Sequence, residues 1–110
     1  MALAPAITDL EQLKDHPALA RLLAWDAAAV QSAKFDRNEL TVYIPKAAIR
    51  EACALLRDHR DCPFNLLSDI TCVDWYPNEP RFEVVYHLYS ISKKERVRLK
   101  VKLDGESPVV

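Results

Sequence analysis

One hundred and ten residues are the length of one small domain, and 50% hydrophobic with 28% charged residues is a globular composition, not a disordered one. Lys and Arg total 15 against 16 Asp and Glu, a net charge of −1 that argues against a dedicated nucleic-acid binder. The one glycine, Gly105, excludes a Walker loop and a dinucleotide-binding fingerprint, because both need several glycines.

The first helical signal is Thr8-Asp9-Leu10-Glu11, where Thr8 can cap backbone N–H groups and Glu11 can reach back to the cap. Leu10 and Leu13 then share a face. His16-Pro17 restarts the chain: the residue before proline is biased away from helix, and Pro17 suits a first helical position. Leu19, Leu22 and Leu23 give an apolar stripe that ends near Trp25. Val30 to Phe35 reads as a short strand, and Asp36-Arg37-Asn38 as a turn. In Glu39 to Ile44, Leu40, Val42 and Ile44 point one way and Thr41 and Tyr43 the other. Pro45 closes that strand.

Lys46 to His59 is the best helix by pattern, with Ile49, Ala52, Cys53 and Leu56 on one face. Arg57 and His59 in its last turn suit the negative end of the dipole. Asn65 to Trp75 reads as a strand, Pro77-Asn78-Glu79-Pro80 as a turn, and Arg81 to Ile91 as a strand with both faces at least partly covered. After a polar turn at Ser92 to Glu95, Arg96 to Leu103 alternates without a break. Val97, Leu99, Val101 and Leu103 lie on one face, and Arg96, Arg98, Lys100 and Lys102 on the other. The order helix, strand, strand, helix, strand, strand, strand predicts a single domain over residues 1–110, with an α+β two-layer fold and a mixed sheet.

Chemistry-bearing constellations are few. Cys53, Cys62 and Cys72 form no Cys-x-x-Cys pair, which removes zinc ribbons, ferredoxin-type clusters and thioredoxin motifs and reads as three reduced thiols in a cytosolic compartment. His16, His59 and His87 come from three different elements, without a paired ligand motif. Asp69 and Asp74 are an odd number of residues apart on one strand, hence on opposite faces, and make a poor acid/base pair. A Ser68–His87–Asp74 triad lacks the Gly-x-Ser-x-Gly elbow. The basic strand, with Tyr86 and Tyr89 as stacking platforms, could follow a phosphate backbone, although the whole-chain charge argues against it. The most apolar stretch, Leu19 to Val30, contains Arg21 and Asp26 and is far short of the ~20 residues of a membrane span. Met1 to Ile7 lacks the basic start and apolar core of a signal peptide. No catalytic centre emerges from the residues themselves.

Three blocks carry a resemblance: Asn65-Leu66-Leu67-Ser68-Asp69-Ile70-Thr71-Cys72-Val73-Asp74-Trp75, then Arg81-Phe82-Glu83-Val84-Val85-Tyr86-His87-Leu88, then Arg96-Val97-Arg98-Leu99-Lys100-Val101. Together they resemble the C subunit of the proton-pumping NADH–quinone oxidoreductase, respiratory complex I. The resemblance implies a non-catalytic peripheral-arm subunit on the cytoplasmic side of the bacterial cell membrane, scaffolding the quinone-reducing module. It implies no cofactor in this chain, with flavin and iron–sulphur clusters in partner subunits. It implies other complex I subunits as partners, especially the one that holds the quinone site, no nucleic acid, and membrane association only through those partners. Family members continue into a helix with a Glu-Arg-Glu-rich signature and a basic tail. This chain stops at Gly105-Glu106-Ser107-Pro108-Val109-Val110, so a truncated, N-terminal piece of the family's full length is expected, prone to self-association where a sheet face is left short of cover. The residues expected at the partner interface are Asp74, Trp75, Arg81, His87, Arg98 and Lys100, since Trp and Arg are common anchors. Two alternatives stay open: an RNA-binding module using strand 96–102, and the equivalent subunit of a related membrane-bound hydrogenase.

Overall fold

The computed structural model describes residues 6–106 and 108–110. The readings of residues 1–5 as part of a start without a leader, and of Ser107 as part of the chain's ending, lie outside the described residues. Helix α1, Leu10–Leu13, is capped by Asp9, whose carboxylate accepts the Glu11 N–H at 3.0 Å. The cap falls one residue after the expected Thr8. A carboxylate fills that role as well as a hydroxyl and also suits the positive end of the helix. Helix α2, Pro17–Asp26, starts with Pro17 as expected, and His16 caps it by accepting the Ala18 N–H on Nδ1 at 3.2 Å.

Helix α3, Ile49–Arg57, follows a 3-10 turn at Lys46–Ala48 and is shorter than the expected 46–59. His59 lies past its cap residue Asp58. There its Nδ1 accepts the N–H groups of Asp61 and Cys62, both at 3.1 Å, so it closes a turn and does not sit in the helix's last turn.

Five strands follow the expected places with shifted ends: β1 Ser32–Asp36, β2 Glu39–Tyr43, β3 Leu66–Asp74, β4 Phe82–Ser90 and β5 Glu95–Leu103. They form one sheet in the order β1-β2-β5-β4-β3. Only β2 and β5 run parallel, so the sheet is mixed, as the α+β reading expected. The β1–β2 loop is two residues, Arg37 and Asn38, with φ of 53° and 64°. Two successive left-handed residues are the geometry of a type I′ hairpin, whose twist matches the flanking strands.

The core lies on one side of the sheet. Leu19 and Leu22 of α2 and Ile49, Ala52 and Leu56 of α3 pack with Leu40 and Val42 of β2 and Val97, Leu99 and Val101 of β5. All three helices contribute to that one cluster, which leaves the opposite sheet face without a helical layer among the described residues. Burying each of these leucines is worth about 1.5–3 kcal/mol, so the cluster fixes which face of β5 looks inward. Strand β3 departs from a buried strand. It is a sheet edge with Leu66 40%, Leu67 49% and Ile70 52% exposed, because the helices do not reach over it.

Candidate functional site

The uncovered sheet face is the most organised surface of the domain. Strand alternation places Arg96, Arg98, Lys100 and Lys102 of central β5 on it. Neighbouring strands then bring Glu39, Thr41 and Tyr43 from β2, and Glu83, Val85, His87 and Tyr89 from β4. Arg98 Nη2 lies 3.2 Å from Glu39, and Lys100 Nζ lies 3.5 Å from Glu83. The Tyr43 hydroxyl donates to Glu83 at 3.3 Å. Burial first, then the Glu83 charge, pushes the Tyr43 phenol above its ordinary pKa.

The outer two cations behave differently. Arg96 lies over the Tyr89 ring at 4.8 Å and Lys102 over the Tyr43 ring at 4.7 Å. Both are exposed, and neither has a carboxylate in ion-pair reach among the described residues. Val85 and Thr41 on this face are only 4% exposed, although no second layer covers them. Across the strands Thr41 is the neighbour of Arg98 and Val85 that of Lys100, and the long stems of such cations can lie over apolar surface. The expected partial cover on both faces of β4 is therefore found, but from its own sheet.

The six expected interface residues fall into two separate groups. Asp74, Trp75 and Arg81 meet at the β3–β4 hairpin, and His87, Arg98 and Lys100 on the charged face. About 17 Å of strand separates Phe82 from His87 at the ordinary rise per residue. At the hairpin, Arg81 bonds Asp74 with two hydrogen bonds, both 2.9 Å, and its guanidinium lies over Phe82 at 4.8 Å and Tyr76 at 5.0 Å. The Arg81 bonds and then the Tyr76 N–H hold the Asp74 carboxyl below its usual range. Trp75 is 47% exposed and Tyr76 73%. Glu79 reaches across to the Gly105 N–H at 2.9 Å, and a Cβ at Gly105 would lie 3.0 Å from that carboxylate, a contact the exposed Glu79 side chain would have to yield to.

His87 bonds Thr71 at 3.3 Å. Ser68 donates to the backbone carbonyl of His87 and not to its ring, and Asp74 is held by Arg81, so the triad has no geometry. Asp69 and Asp74 do lie on opposite faces, since Asp69 pairs with His87 and Asp74 with Phe82. No group of three His, Cys, Asp or Glu side chains suited to a metal occurs among the described residues. A groove of about 340 Å³ between α3 and β3 is lined by Cys53, Phe64 and Leu67, among others. Burial pushes the Cys53 thiol pKa up, the reverse of what an activated nucleophile needs. Cys62 is buried and Cys72 exposed, and both are free thiols like Cys53.

Two expectations are corrected. Tyr86 pairs with Leu99 and packs against the core, so of the two expected platforms Tyr89 alone lies on the basic face. Lys100 is not a free surface lysine, since its side chain is 21% exposed and that of its partner Glu83 is 11% exposed. Sequence reasoning also missed Glu39, Tyr43 and Glu83. Alternation within β4 places Glu83 with His87, but its pairing with Lys100 comes only from strand order.

Fold and face define a small α+β domain whose bare sheet side carries an ordered lattice of charge, with no helix among the described residues long and apolar enough to cross a membrane. Residues 42–110 match the family model described as respiratory-chain NADH dehydrogenase, 30 kDa subunit, and the chain belongs to that family. It is 41% identical over 106 residues to the NADH-quinone oxidoreductase C subunit of Caulobacter sp. (strain K31), covering 96% of this chain and 47% of the relative. It is 52% identical over 67 residues to the NADH-quinone oxidoreductase C 2 subunit of Rhizobium meliloti, covering 61% and 36%. It is 39% identical over 107 residues to the NADH-quinone oxidoreductase C subunit of Acidithiobacillus ferrooxidans (strain ATCC 53993), covering 92% and 50%. The chain thus spans about half the length, or less, of the curated relatives it matches.

Proposed function

We propose that this domain is a scaffolding part of the peripheral arm of a proton-pumping NADH–quinone oxidoreductase. It takes no part in electron transfer itself and holds neighbouring subunits in register. The observation that carries this reading is the bare, charge-organised sheet face in a member of this family, a surface suited to docking and not to chemistry. Flavin and iron–sulphur clusters belong to partner subunits in this reading. The domain sits on the cytoplasmic side of the membrane, through protein contacts with the quinone-site subunit. The pairing of Arg98 with Glu39 and of Lys100 with Glu83 leaves no continuous cationic strip for RNA.

Affinity purification of the tagged protein from detergent-solubilised host membranes tests the proposal. The expected result is co-purification with quinone-linked NADH oxidation, while the chain purified alone is colourless. A chain that purifies apart from that activity, or that alone carries stoichiometric iron or flavin, overturns it.

A further inference from the structure

We infer that the bare sheet face docks on an acidic protein surface through its two ends, Arg96 with Tyr89 and Lys102 with Tyr43, and not through the central Arg98 and Lys100. The inference rests on the scaffold reading above and deepens it by naming the contact.

The central cations are already committed. Glu39 and Glu83 neutralise them inside the sheet, and a docking acid would have to break pairs whose side chains are all more than half buried. The end cations are exposed, and each is braced against an aromatic ring. A planar ring beneath a cation restricts its motion before binding, so less conformational freedom is lost when a carboxylate arrives. Arg96 and Lys102 are six residues apart on one face of one strand, hence about 20 Å apart. Between them the surface holds a small depression of about 30 Å³ beside Glu39, His87 and Arg98, and Val85 and Thr41 are buried on the same face. The complementary partner is a protein surface with two carboxylate-bearing patches about 20 Å apart and little net charge between them. A nucleic-acid strand offers an unbroken line of phosphates and would match an unbroken line of free cations, which this face lacks.

The test is Arg96→Gln with Lys102→Gln in the tagged protein in its host. Assembly is read as the fraction of protein in the NADH-oxidising band of a native gel, with rising NaCl during extraction. Folding is read by the urea midpoint of the purified chain. The double variant is expected to keep the wild-type midpoint and to fall roughly tenfold in the band, the sum of two modest ion pairs. Should the double variant unfold, the single variants are read in the same gel, each expected to fall about threefold. Equal band fractions for wild type and variants at every salt concentration overturn the inference and leave the scaffold reading standing. A wild-type protein absent from the band overturns both. Salt-sensitive binding of wild type to a fluorescent single-stranded RNA 20-mer, lost in the double variant, overturns the protein partner in favour of nucleic acid.

Discussion

Lys100→Met is expected to destabilise the domain far more than Lys102→Met, although the two lysines sit two residues apart on the same strand face. Lys100 Nζ is 3.5 Å from Glu83, and the two side chains are 21% and 11% exposed. Removing one partner of a fully buried pair costs about 3–5 kcal/mol, because the other charge is left uncompensated. Two features lower that figure here. Some solvent reaches the pair, and the Tyr43 hydroxyl still donates to Glu83 at 3.3 Å. A loss of about 2 kcal/mol follows for Lys100→Met. For Lys100→Asp, which sets a second carboxylate beside Glu83, about 3 kcal/mol follows. Lys102 is exposed and braced only by the Tyr43 ring, so Lys102→Met is expected to stay within about 0.5 kcal/mol. Urea titrations followed by circular dichroism at pH 7 supply the comparison, with equal slopes required before midpoints are converted. The double change Lys100→Met with Glu83→Leu should recover most of the loss, since an apolar pair of similar volume avoids the desolvation cost. Equal midpoints for the two single methionine variants would refute the reasoning, as would a double variant no better than Lys100→Met.

Leu99 is fully buried on the other side of the same strand, so Leu99→Ala should cost about 2–5 kcal/mol and Leu99→Asp should prevent folding, both readable from thermal melts. His16 caps α2 through Nδ1 and can do so only while that nitrogen is unprotonated. Burial holds its folded pKa below the ordinary 6.5, with Glu95 opposing the shift. Its contribution is therefore complete above pH 6.5 and is lost as pH falls through the depressed folded value. His16→Asn, which keeps a cap without that titration, should flatten the urea midpoint between neutral and mildly acidic pH. An unchanged pH profile in that variant would remove His16 from the account. Arg37→Asn with Asn38→Gly should raise stability by up to about 1 kcal/mol, because Arg37 occupies a left-handed conformation that costs a side chain with a Cβ. A lower melting temperature would count against the hairpin assignment.

Local periodicity by itself determined much of this protein. The alternation of Arg96 to Leu103 marked its inward and outward faces, and Leu99 and Val101 are indeed fully buried. Pro17, the Arg37-Asn38 turn and the apolar stripe of α3 were legible for the same reason. Each depends on residues within four positions of one another, where backbone geometry leaves few choices. The three resembling blocks likewise pointed to the family. Helix ends were less legible: Asp9 beside Thr8 offers a competing cap, and the first turn after Pro45 tightened to a 3-10 form.

What only the tertiary structure decided is who stands beside whom. Strand β5 lies between β2 and β4, so Arg98 finds an acid in Glu39, from the distant first half of the chain, and Lys100 finds one in Glu83. The row of cations therefore looked free in sequence and is half neutralised in the fold. Tyr86 and Tyr89 looked like a pair and lie on opposite faces, a separation their odd spacing already implied. Asn65 to Trp75 read as a strand, but only the strand order put Leu66, Leu67 and Ile70 on an open edge. A strand's own pattern tells which side chains share a face, but burial and charge pairing are set by neighbours that arrive through long-range strand order, which no local pattern encodes.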